Sequence, residues 1–99
     1  MKLQWTDRAR RDLLQIGQYI AQDNPAAARR WIERLREKAR GAARAPLAGR
    51  VVPELARDSV REVFLGNYRL IYILRKDVVT VLTVFEGHRL LRNNDIPDN

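Results

Sequence analysis

A chain of 99 residues, 45% of them apolar, is material for one domain with a modest core, because a chain this short buries only roughly 60–65% of its unfolded surface. The lack of cysteine excludes a disulfide framework, a thiol nucleophile and a thiolate zinc site, and no stretch approaches the roughly 18 apolar residues of a membrane span, so the cytosol is the expected compartment. The net charge is +7, and residues 1–50 carry the whole excess, with 12 basic and 5 acidic residues against 7 of each in residues 51–99; such a field favours anionic partners, whether nucleic acid or an acidic protein segment.

Lys2 to Trp5 alternates polar and apolar residues and then meets Thr6, a good N-cap, which predicts a short strand running directly into a helix over Asp7 to Gln22. Ala9, Leu13, Ile16 and Ile20 recur at helical spacing, and Gly17 lies on the same side, where a second helix can approach closely. Asp23-Asn24-Pro25 stops one helix and starts the next, with Asn24 as cap and Pro25 at the first position. The second helix is expected over Pro25 to Ala43, with Ala28, Trp31, Ile32, Leu35, Ala39 and Ala42 on one face. Its Arg and Lys residues spread over the other face, where Glu33 and Glu37 sit among them at ion-pairing spacing and favour a solvated surface over a nucleic-acid footprint.

Pro46, Gly49 and Pro53 break the pattern and predict an irregular loop. From Ser59 the period becomes two, and three strands fit, Val60 to Leu65, Tyr68 to Arg75 and Val78 to Phe85, as an antiparallel meander. The class is therefore α+β: an N-terminal strand, an antiparallel helical hairpin, then the meander. Gly66-Asn67 makes a two-residue hairpin turn that sets Leu65 opposite Tyr68, Phe64 opposite Arg69, Val63 opposite Leu70 and Arg61 opposite Tyr72. Glu62 and Arg69 then share one face, expected to be open, while Val63, Leu65, Tyr68, Leu70, Tyr72 and Leu74 form the face that receives the helices. The domain is expected to occupy residues 1–91, with residues 92–99 as a polar tail.

Four segments resemble the RelE/ParE family of bacterial toxins in this order and spacing. They are Trp5-Thr6-Asp7 with Asp12-Leu13 and Asp23-Asn24-Pro25, the loop Pro46 to Leu55 with Val60-Arg61-Glu62, the string Gly66-Asn67-Tyr68-Arg69-Leu70-Ile71-Tyr72, and Val81 to Phe85 with His88-Arg89-Leu90. The first two look like ParE-type members. The resemblance implies a toxin of a type II toxin-antitoxin pair, held in a hetero-oligomer by a cognate antitoxin whose acidic, partly disordered segment would suit the positive field. ParE-like members inhibit DNA gyrase without being nucleases, RelE-like members cut messenger RNA on the ribosome, and a remnant that only binds its antitoxin is a third possibility.

For the gyrase reading, the residues expected to meet the target are Arg61, Arg69, Phe85, His88 and Arg89. For the nuclease reading, the resemblance places Glu54, Arg69 and His88 near a carboxylate, a cation and an acid or base, the groups that RNA cleavage requires. Each has a plainer explanation: Glu54 as a solvated or ion-paired loop residue, Arg69 paired with Glu62 beside Phe64, and His88 as a surface or capping histidine. One histidine and scattered carboxylates make no metal-ligand cluster, and no cofactor is expected.

Overall fold

In the computed structural model, which describes residues 1–87 and 91, strand β1 (Lys2–Trp5) runs into helix α1 (Asp7–Ala21) through Thr6. The Thr6 hydroxyl accepts the Ala9 N–H at 3.0 Å, as an N-cap should, and donates to the Leu82 carbonyl at 2.9 Å, so the cap also ties the helix start to the last strand. Asn24 caps α2 (Pro25–Arg44) by accepting the Ala27 N–H at 3.0 Å, with Pro25 opening the helix. Both helices end within one residue of the sequence expectation. They approach closely at Gly17, where an added Cβ would lie 3.4 Å from the Ile32 side chain.

The loop is less irregular than its Pro and Gly content predicts. Pro46–Ala48 winds into one 3-10 turn, and Arg50–Val51 forms a two-residue strand, β2, that pairs antiparallel with Glu62 and Arg61. Strands β3 (Val60–Leu65) and β4 (Tyr68–Arg75) have the bounds and register that the Gly66-Asn67 turn demands, and β5 (Val78–Glu86) runs one residue longer than expected. Gly66 has φ +55, and Lys76 and Asp77 both take positive φ in the second tight turn, the backbone of a type I′ hairpin. The sheet order is β1-β5-β4-β3-β2, and β1 joins β5 in parallel, which places the first and last strands side by side.

The β4–β5 register slips by one residue, so that Ile71 faces Thr83 while Tyr72 faces Val81. This bulge at Leu82 resolves a conflict of period. Val81 and Val84 are three apart and would point to opposite faces of a regular strand, yet both belong to the core beneath the helices. That core joins Leu13 and Ala9 of α1 and Leu35, Ala39 and Ala42 of α2 to Leu65, Leu70, Tyr72, Val79, Val81 and Val84 of the sheet. Leu82 is sent to the other side.

The opposite face, expected to be open, is covered. The chain after β2 folds over it, and Val52, Val60, Ile71, Ile73, Leu82 and Leu91 form a second buried cluster flanked by Leu55 and Phe85. A face carrying Ile71 and Ile73 between charged neighbours has too much apolar surface to leave in water.

Asp12, on the sheet-facing side of α1, supplies what a missing strand would. Strand β1 pairs with β5 only as far as Val81, and beyond it the Asp12 carboxylate accepts the Val84 N–H at 3.0 Å and the Thr83 hydroxyl at 2.6 Å. We expect Asp12→Ala to cost about 1–3 kcal/mol, since it strands a partly buried backbone donor. Urea denaturation checks this, and an unchanged midpoint would show that water replaces the carboxylate.

Candidate functional site

Strand alternation brings Glu62 to the covered face, between Val60 and the end of the strand, where it is 1% exposed. A carboxylate there is tolerable only if it is fully paired. Two arginines do this. Arg69, its diagonal neighbour on β4, donates Nε and Nη2 to Oε1 at 2.8 and 2.5 Å, and Arg50 of β2 donates Nε and Nη2 to Oε2 at 2.8 and 2.6 Å. Even the two-residue strand β2 thus has an electrostatic purpose, because it carries Arg50 to the buried carboxylate.

Arg69 reaches a second carboxylate. Its Nη1 and Nη2 donate to Glu54 at 3.1 and 3.3 Å, and the guanidinium lies 5.4 Å from the centre of the Phe85 ring. The expected stacking partner, Phe64, is instead covered by Arg50 at 5.3 Å. Phe64 and Arg69 face each other across the β3–β4 pair as expected, but Phe64 is 43% exposed and Arg69 turns towards the cluster formed by the loop. Burial opposes the charge on Arg69, yet the two carboxylates outweigh it and raise its pKa above the ordinary value.

Glu54 has two duties. Besides Arg69, its Oε2 accepts the backbone N–H of Leu91 at 3.2 Å. Burial pushes this carboxyl up, but Arg69 and backbone donors, Leu91 among them, hold it below the usual carboxylate range. With the folded pKa depressed, the stabilisation from Glu54 is fully present above the unfolded carboxylate pKa. It is lost only as pH falls through the lower folded value, so these bonds are intact at neutral pH.

Arg61, on the other face of β3, binds its own chain. It donates to the carbonyls of Leu47, Gly49 and Asp58, each at 3.0 Å, and so pins the 3-10 turn to the sheet. The Tyr72 hydroxyl, fully buried, donates to the Pro46 carbonyl at 2.5 Å from the same side. Gly49 is required where these meet, because an added Cβ would stand 2.2 Å from the Tyr72 hydroxyl oxygen and 3.1 Å from the Glu62 carbonyl.

Of the residues singled out in the sequence, Arg69 and Glu54 come together, Phe85 joins them, and Arg61 sits apart as a brace for the loop. His88 and Arg89 lie outside the described residues. Sequence reasoning missed Arg50 and Asp12. The signal for Asp12 was an acidic residue on the apolar side of a helix, three residues after Ala9 and four before Ile16; Arg50 gave none, since a two-residue strand has no readable period. On α2, Glu33 and Glu37 pair as expected, with Arg40 at 2.6 and 2.9 Å and, for Glu37, with Arg44 at 2.7 Å. Among the described residues no group of three His, Cys, Asp or Glu could hold a metal, and no helix is long and apolar enough to cross a membrane.

A parallel edge strand leading into a helical hairpin, followed by an antiparallel meander, is the α+β architecture of ParE-like toxins. The chromosomal ParDE toxin-antitoxin system from P. aeruginosa contains a chain that superposes with a TM-score of 0.73 at 20% identity, covering 89% of this chain and 97% of that one, a likeness of fold. The Sinorhizobium fredii protein named "Putative toxin Y4kP" is 37% identical over 90 residues, 89% of this chain and 90% of that relative. Residues 3–91 match the family described as ParE toxin of type II toxin-antitoxin system, parDE. The chain belongs to that family of toxins.

Proposed function

We propose that the protein inhibits bacterial growth by binding DNA gyrase in the cytoplasm and is neutralised there by a cognate antitoxin. The observation that carries this over RNA cleavage is the pairing of Arg69 with Glu54 and Glu62. A ribonuclease needs its arginine for the scissile phosphate and its carboxylate for proton transfer. Here two of the three candidate groups neutralise each other inside the fold, and Glu54 also holds a backbone N–H. Target contact is assigned to Phe85 and, following it in the chain, His88 and Arg89, while Arg69 lies against Phe85 and Arg61 holds the 3-10 turn.

The family and the P. aeruginosa relative, which is part of a ParDE toxin-antitoxin system, support a bound antitoxin for this chain. The apolar groove between α1 and α2, floored by Leu13, Gly17, Ala28 and Ile32 and rimmed by Arg10, Arg29 and Arg36, suits an amphipathic acidic segment. Leu14, 61% exposed at its edge, would be covered there.

Inducing the protein in a bacterium while following plasmid supercoiling and messenger RNA over the same minutes tests this reading. Lost supercoiling or broken DNA with intact transcripts is the expected outcome. Early transcript cleavage with normal DNA would replace gyrase by the ribosome as target, and unimpeded growth with abundant soluble protein would leave only antitoxin binding.

A further inference from the structure

Strand β3 turns its backbone to two neighbours in alternation. The Ser59 carbonyl, just before it, accepts the Leu74 N–H of β4 at 2.8 Å, whereas the Val60 carbonyl accepts the Val52 N–H at 3.2 Å and Glu62 pairs with Arg50 of β2. Even-numbered residues therefore point their N–H and C=O groups away from β4. Phe64 is the next of them, and β2 does not reach it, because the chain before Arg50 has wound into the 3-10 turn of Pro46–Ala48. Among the described residues, no strand lies beside the Phe64 backbone on that side.

Both faces of this open stretch offer contacts. On the helix side a groove of about 540 Å³ runs between α2 and β3, with Ala42, Ala45, Val63 and Leu65 in its wall and the exposed Arg34 and Lys38 among its lining. On the other face the Phe64 ring is 43% exposed and lies 5.3 Å from the Arg50 guanidinium. The acidic neighbours are engaged, Glu37 by Arg40 and Arg44 and Glu62 by Arg50 and Arg69. An edge guarded by cations repels a second copy of this chain, which would bring the same cations, and admits a strand that carries acidic residues.

We propose that an extended, acidic segment of the antitoxin docks here, adding a strand to β3 in line with β2 and exchanging backbone hydrogen bonds with Phe64. This rests on the reading that an antitoxin neutralises the chain. Strand alternation sets what the segment carries. The residue opposite Phe64 stands on the Phe64–Arg50 face, and the residues on either side of it enter the groove beside Val63 and Leu65, where small apolar side chains fit and an acidic one nearby meets Lys38. The backbone bonds supply affinity and the groove selects the side chains. The groove between α1 and α2 is lined from the other side of α2, so the two do not compete for one antitoxin.

The test compares the purified toxin alone with its complex with the cognate antitoxin. In the toxin alone the Phe64 amide should exchange with solvent at least tenfold faster than those of Val63 and Leu65, and in the complex it should slow at least tenfold. Phe64→Pro removes the outward N–H at a place where an edge strand tolerates proline, and should raise the Kd for the antitoxin at least tenfold. Phe64→Ala keeps the N–H and should stay within about threefold. Lys38→Glu is a surface change that tests the charge even if the proline variant misfolds, and should weaken binding at least threefold more than Lys2→Glu, the same charge change at the opposite edge of the sheet. A wild-type complex in which the Phe64 amide exchanges as in the toxin alone overturns the docking edge and leaves antitoxin binding standing. So does a folded Phe64→Pro variant that binds as wild type, or a Lys38→Glu no worse than Lys2→Glu. Protection of Phe64 that grows with the concentration of toxin alone would assign the edge to a second copy and overturn the proposal, and failure of the wild type to form any complex would overturn the antitoxin reading itself.

Discussion

Replacing Arg69 by alanine is expected to destabilise the protein by about 3–5 kcal/mol, the cost of leaving a buried carboxylate without its main partner. Glu62 would keep only Arg50, whose side chain is 60% exposed and screened by water. A domain of this size has roughly 5–15 kcal/mol in total, so the loss is between about a fifth and the whole of its stability. Loss of toxicity in Arg69→Ala would therefore be evidence about folding, although the same loss in a nuclease would be taken as evidence about chemistry. Urea denaturation of the variant gives the number. The pair Arg69→Met with Glu62→Leu removes both charges and should recover most of the loss, because well-packed apolar replacements of a buried ion pair are often neutral. If Arg69→Ala alone is as stable as wild type, the buried pair is not what holds this face together.

Gly49→Ala should cost about 2–3 kcal/mol, near the upper end for one methyl group forced into a packed site. The position has φ −69, so the backbone tolerates alanine and the penalty comes from crowding. The added carbon would lie 2.2 Å from the Tyr72 oxygen, and Tyr72 cannot retreat without losing its bond to the Pro46 carbonyl. A double-mutant cycle with Tyr72→Phe isolates the cause. Removing the hydroxyl should reduce the cost of Gly49→Ala by more than about 1 kcal/mol, whereas additive effects would place the strain elsewhere, against the Glu62 carbonyl.

Much of this architecture is legible in the residues, and the exceptions have physical causes. Thr6, Asn24 and Pro25 mark helix starts by local chemistry, and the Gly66-Asn67 turn propagates a register through the whole β3–β4 pair, so the nearness of Glu62 to Arg69 follows from the turn alone. Three features do not follow. Strand β2 is too short to show a period, the bulge at Leu82 depends on a partner strand, and the covered face depends on a loop and on Leu91 arriving from opposite ends of the second half. The candidate site divides in the same way. Glu62 is placed by register, whereas Glu54 reaches Arg69 from 15 residues away through a segment whose path no local signal fixes. The plainer explanations of Arg69 and Glu54, as ion-pair partners, describe their contacts, with Phe85 in the stacking place expected for Phe64.

The parallel pairing of β1 with β5 also governs when the molecule can exist during its own synthesis. Among the described residues β1 has β5 as its one neighbour in the sheet, and the Thr6 side chain waits for a carbonyl 76 residues further on. The helical hairpin can form early from local contacts, but the sheet cannot close until β5 has been made, and such long-range closure is slow. Every surface that depends on β1 lying beside β5 therefore appears only once β5 has been made.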